Sequence, residues 1–159
     1  MTNAQTQAWL DQEDAMVRDC ILEFGCFLQY VSADPGPEPP LPSFCYTTGC
    51  FGLGHPELIV FGLDPSSAGG MLNWCFAEIK AGRVLTPGEI LELGNGRARA
   101  RVESFPNPGS MLFTANRFYQ RPPEHSVLAY QLPWDVDGAF PEDPGYPYGP
   151  HQQPRPGTL

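Results

Sequence analysis

No run of about eighteen apolar residues occurs in these 159 residues, so no membrane-spanning helix is expected. The N-terminus is polar and acidic, where a secretory leader would be basic and then apolar, so a cytoplasmic protein away from membranes is the expectation. Charge is also scarce, at 17% of residues, and basic residues number nine against eighteen acids. A net charge of −9 argues against nucleic-acid binding, which needs a broad basic surface. The five cysteines, Cys20, Cys26, Cys45, Cys50 and Cys75, are odd in number and show no C-x-x-C spacing. That pattern fits neither a disulfide framework nor, as well as it fits buried reduced thiols, a zinc site. The chain also lacks a G-x-G-x-x-G fingerprint and a G-x-S-x-G elbow.

Proline and glycine are plentiful instead, nineteen and seventeen residues. They concentrate at 34–43 and 141–157, which leaves an ordinary globular body between. Residues 5–24 carry Leu10, Val17, Cys20, Ile21 and Phe24 on one helical stripe, and Gly25 ends it. Strands are expected at 26–32, 43–49 and 57–63; the apolar run of the third suits burial on both faces. Asp64-Pro65 opens a second helix that Gly82 stops. Residues 110–120 read as a third helix, and 126–134 as a last strand.

Between the second and third helices lies "EILELGNGRARARVESF", whose alternation has period two. Centring a turn on Asn95-Gly96 sets Leu93 opposite Ala98, Glu92 opposite Arg99, Leu91 opposite Ala100 and Ile90 opposite Arg101. One face is then core, and the other carries Arg97, Arg99 and Arg101 against Glu92 alone. Residues 80–121 hold seven of the nine basic residues and three acids, a local charge of +4 that leaves −13 elsewhere. Two explanations stand for the arginine stripe: compensation by acids from elsewhere, or an anion site built of guanidinium forks.

"YTTGCFGLGHPEL" joins two expected strands through a glycine-rich connection. His55 precedes Pro56, which favours extended backbone there, and it is either a turn histidine or a site residue. Tyr46, Thr47, Thr48 and Glu57 converge on the same strand ends, and His55, Tyr46, Thr48 and Glu57 form the candidate catalytic set. If His55 is a site residue, its removal is expected to cost less than about 1 kcal/mol of stability. Asn73, on the second helix, is read as a buried hydrogen-bonder or a pocket amide. "DVDG" at 135–138 lacks the remaining ligands of a calcium loop and is read as a turn. No metal site is expected.

"FCYTTG", "GHPELIVFGL" with a following helical "LN", and "QLPWDVDGAFPEDPGY" resemble the bacterial proteins grouped as domain-of-unknown-function family 4262. The resemblance covers roughly residues 20–147. Members usually carry leucine where this chain has Cys50, which implies an apolar packing position there. The resemblance supports the fold and the focus on 46–57 without implying a reaction.

The expected fold is α+β, a mainly antiparallel sheet with three helices in the order α-β-β-β-α-β-β-α-β. One domain spans 1–147, followed by a proline-rich tail at 148–159; the chain from Asp135 onward is turn-rich and expected to lie across the surface. The leading functional expectation is an enzyme or ligand-binding protein acting on an anionic small molecule or peptide, with His55 as acid/base and Arg97, Arg99 and Arg101 as anion clamp. The alternative is an accessory protein whose arginine face binds an acidic partner; a flavin-binding sheet protein is a third reading. Neither a cofactor nor an oligomeric state is fixed by the residues.

Overall fold

The computed structural model describes residues 2–38, 40–94 and 96–158. Helix α1 (Asn3–Phe24) begins at a reciprocal cap: the Gln5 N–H donates to the Thr2 hydroxyl at 3.1 Å and the Thr2 N–H to the Gln5 side chain at 2.8 Å. Gly25 ends it in the left-handed region. Strands β1 (Phe27–Val31), β2 (Phe44–Thr48) and β3 (Glu57–Phe61) follow as an antiparallel meander. Helix α2 (Pro65–Lys80) starts where the Asp64 carboxylate accepts from the Ser67 N–H at 3.1 Å, with proline in the first turn.

The hairpin β4 (Ile90–Leu93) and β5 (Ala98–Arg101) has the expected register, pair for pair. Gly94 and Gly96 both have positive φ; Asn95, the other residue expected at the turn's centre, lies outside the described residues. A two-residue β6 (Glu103–Ser104), a short α3 (Phe113–Phe118) and β7 (Ala129–Gln131) complete the chain. The main sheet runs β1-β2-β3-β7-β6, and the hairpin forms a separate two-stranded sheet.

"Mainly antiparallel" holds only roughly, because the central pair β3 and β7 is parallel. The last strand is also shorter than expected. Pro133 has no N–H to give a ladder, and the Trp134 N–H donates to the Gln153 side chain instead.

Alternation divides β2 and β3 between two cores. Cys45, Leu58 and Val60 join α2 (Leu72, Cys75) and the hairpin (Leu91, Ala100) in one; Tyr46, Ile59 and Phe61 join Phe105, Leu112 and Ala115 in the other. Every residue of β3 is buried, as a strand covered on both faces should be. Cys50 is fully buried in the first core, the packing position that the leucine comparison implies.

The tail lies across the surface and is fastened there at Gln153. Gln153 is buried and gives its side-chain amide to both backbone groups of Trp134, accepting from the N–H at 2.9 Å and donating to the carbonyl at 3.0 Å. Gly62 permits the approach beside it: a Cβ there would sit 2.4 Å from the Gln152 carbonyl oxygen.

Candidate functional site

The turn between β2 and β3 folds around Glu57. Gly49, at φ +149°, tucks against the link between α1 and β1 so closely that a Cβ would lie 2.5 Å from the Gly25 carbonyl oxygen. The chain then turns through a one-turn 3-10 helix at Phe51–Leu53. This aims three successive N–H groups at the Glu57 carboxylate, from Gly49 (3.1 Å), Cys50 (2.9 Å) and Phe51 (3.0 Å). The Thr47 hydroxyl donates a fourth bond at 2.7 Å and itself accepts from the Leu58 N–H at 2.9 Å. Burial pushes the Glu57 carboxyl up, against the pull of these four bonds, each of which favours the ionised form. Among the described residues no basic side chain pairs with it.

His55 is buried and closes the same turn. Its Nε2 accepts from the Leu85 N–H at 3.1 Å, and Nδ1 faces the Pro56 carbonyl at 2.8 Å. Those partners assign the tautomer with the proton on Nδ1. Both ring nitrogens are thus occupied by backbone, and neither is open to a substrate in this structure. Tyr119 braces the turn from α3's end: its hydroxyl accepts from the Gly52 N–H at 3.1 Å, and its ring packs on Phe51 with centroids 4.6 Å apart. Burial first, then the Glu57 charge, push the Tyr119 phenol to about 12.

The four residues expected to form a catalytic set are all buried. Tyr46 points into the second core, where its hydroxyl accepts from the Thr114 N–H at 3.0 Å. Thr48 is fully buried, and its hydroxyl has no partner among the described residues. Four surface cavities stand out, and none is lined by Tyr46, Thr48, His55 or Glu57. The geometry makes His55 and Glu57 the fasteners of a turn. Asn73 is neither buried nor part of a cavity wall; it is exposed on α2.

The arginine stripe is largely compensated. Arg99 lies 3.6 Å from the Asp135 carboxylate and donates to the Gly138 carbonyl at 3.0 Å. Arg101 pairs with Glu142 and lies 3.7 Å from Glu103, with its guanidinium 4.4 Å from the centre of the Phe140 ring. Two of the neutralising acids, Asp135 and Glu142, come from 135–142, and Asp135 opens the "DVDG" at 135–138 read from sequence as a turn. It is one, since the Gly138 N–H donates to Asp135 at 3.0 Å, but it also carries a counter-charge. Glu92, directly opposite Arg99, forms no ion pair with it.

Arg97 differs. It is exposed, and it has no acid partner among the described residues. It lines a cavity of about 750 Å³ between α2 and the hairpin, whose apolar walls are Leu63, Met71, Trp74, Leu93 and Trp134. Asp135 also lines it, but that charge is taken up by Arg99. Gly70 lies on the α2 wall, with no atom within 4 Å of where a Cβ would stand. Sequence reasoning found Arg97 and missed Trp74, Trp134 and Gly70. The available signal was Gly69-Gly70 inside a helix, where glycine is costly.

Among the described residues no cluster of three or more histidine, cysteine or acidic side chains could hold a metal ion, and no helix is long and apolar enough to cross a membrane. Residues 20–147 match the family model described as Domain of unknown function (DUF4262), and the chain belongs to that family. No curated protein and no solved structure matches it significantly.

Proposed function

For a member of a family whose description assigns no activity, we propose a ligand-binding role: the α2–hairpin cavity takes a small anionic molecule with an apolar or aromatic body. The observation that carries this reading is Arg97, alone of the three stripe arginines without an acid partner among the described residues, on a wall shared with Trp74 and Trp134. An unpaired guanidinium is a directional donor to carboxylate or sulfonate, and the two indoles on the wall offer aromatic surface to the remainder. The volume, about 750 Å³, suits a small organic ligand. Gly70 leaves open the space that a larger residue would fill.

Binding is favoured over proton-transfer chemistry because the acid/base candidate, His55, is bonded to backbone at both nitrogens. An accessory role through a flat basic face is disfavoured because Arg99 and Arg101 are already paired. The test is a fluorescence titration with 8-anilinonaphthalene-1-sulfonate. Saturable binding by the parent protein is expected to weaken about tenfold or more in Arg97→Ala, the usual loss for a charge-assisted contact. Equal affinity in parent and variant, or no saturable binding at all, overturns the reading.

A further inference from the structure

A second cavity lies on the opposite core, under the C-terminal tail, and its chemistry is different. Its floor is Phe44, Phe61, Phe105 and Met111; the Phe61 ring stands 5.7 Å from Phe44 and 6.0 Å from Phe105, centre to centre. The opposite wall is the tail, through Pro150, Pro154 and Pro156. The cavity is open on one side and has a volume of about 540 Å³, within the range of small-molecule sites.

The tail does not sink into this space because its backbone is stopped on both sides of it. At one side the Gln152 carbonyl meets Gly62, and at the other Gly157 meets the Ser104 carbonyl, where a Cβ would be 2.2 Å from the oxygen. Between those stops the polar groups have partners outside the aromatic floor. Gln153 holds Trp134, the Gln131 side chain donates to the Pro154 carbonyl, and Arg155 pairs with Glu103 and Glu142. The tail therefore spans the aromatic floor as a bridge and leaves room beneath.

We infer that this tail-walled cavity binds an uncharged, largely apolar small molecule. Charge excludes the alternatives. The charged residues lining the site, Glu142 and Arg155, neutralise each other at 2.9 Å, so neither an anion nor a cation finds an uncompensated partner there. The rings and the methionine thioether offer dispersion and ring-edge contacts to a neutral body. This inference is independent of the anionic site, which lies against the other core and depends on Arg97.

N-phenyl-1-naphthylamine has the same ring system as the anionic probe above but no sulfonate, so it separates the two sites. The parent protein is expected to bind it saturably, one molecule per chain. Met111→Trp, which fills the floor, should weaken that binding about tenfold or more while the melting temperature is kept. Leu41→Trp tests the same space from the exposed rim, and so serves if Met111→Trp does not fold. Gly70→Leu, which obstructs the other cavity, should leave the affinity unchanged. No saturable binding by the parent, unchanged affinity in a folded Met111→Trp or Leu41→Trp, or loss of binding in Gly70→Leu overturns the inference.

Discussion

At Glu57 four donors meet one carboxylate, and the arithmetic of hydrogen bonding sets what a substitution does there. Glu57→Gln keeps the shape but turns one acceptor oxygen into an amide nitrogen, facing donors that it cannot satisfy. Each buried donor left without a partner costs about 1–3 kcal/mol. The variant is expected to lose at least about 2 kcal/mol in urea unfolding. His55→Ala, which abandons the Leu85 N–H, should lose about 1–3 kcal/mol by the same measure. A loss under about 1 kcal/mol in both would return the pair to the catalytic reading. The sequence placed both residues at one turn but not their bonds. Leu85 lies 30 positions from His55, and nothing in "GHPE" announces it.

Whole elements were more legible than their partners. The hairpin's register follows from alternation and a turn centred on Asn95-Gly96, because slipping a strand by one residue would turn its apolar side chains to solvent. Which acids face its arginines depends instead on where 135–142 travels after β7, a tertiary matter with no local signature. The cysteines illustrate the same division. Four of the five are buried, one each at the start of β1, in β2, in the β2–β3 turn and in α2, whereas Cys20 on α1 is partly exposed; all are free thiols. Burial pushes the Cys45 thiol to about 11 and Cys26 and Cys75 to about 12, and it raises Cys50 further. At neutral pH they hold their protons and are shielded from reagent. Rapid native alkylation is therefore expected at Cys20 alone, read by mass spectrometry; fast labelling of the other four would contradict the packing.

Across the whole molecule, 18 acids and nine basic residues make the tail's attachment a matter of specific pairs. Glu142 stands between Arg101 and Arg155. Partial burial raises its carboxyl, but its backbone N–H and the two guanidinium groups outweigh that and hold it below the usual glutamate value. A carboxyl depressed on folding adds stability that is present above the unfolded value and lost as pH falls through the folded one. Acid should thus loosen the tail below about pH 4. Glu142→Gln is expected to be less stable than the parent at pH 7 and to lose less on acidification, measured by urea midpoints at both pH values. Parallel losses in both proteins would show that the carboxylate does not hold the tail.

The parallel pairing of β3 with β7 also bears on how the chain reaches this state. Glu57 opposes Ala129 across 72 positions, while β1–β2, β2–β3 and β4–β5 join strands close in sequence. The near contacts close small loops and cost little chain entropy. The central junction closes a longer loop that contains α2, the hairpin and α3, at a greater cost in chain entropy. Contact order of this kind slows folding. During synthesis the meander and α2 emerge well before their completing strand, so a half-built sheet with the open edge of β3 is the species that a cell must shelter from aggregation.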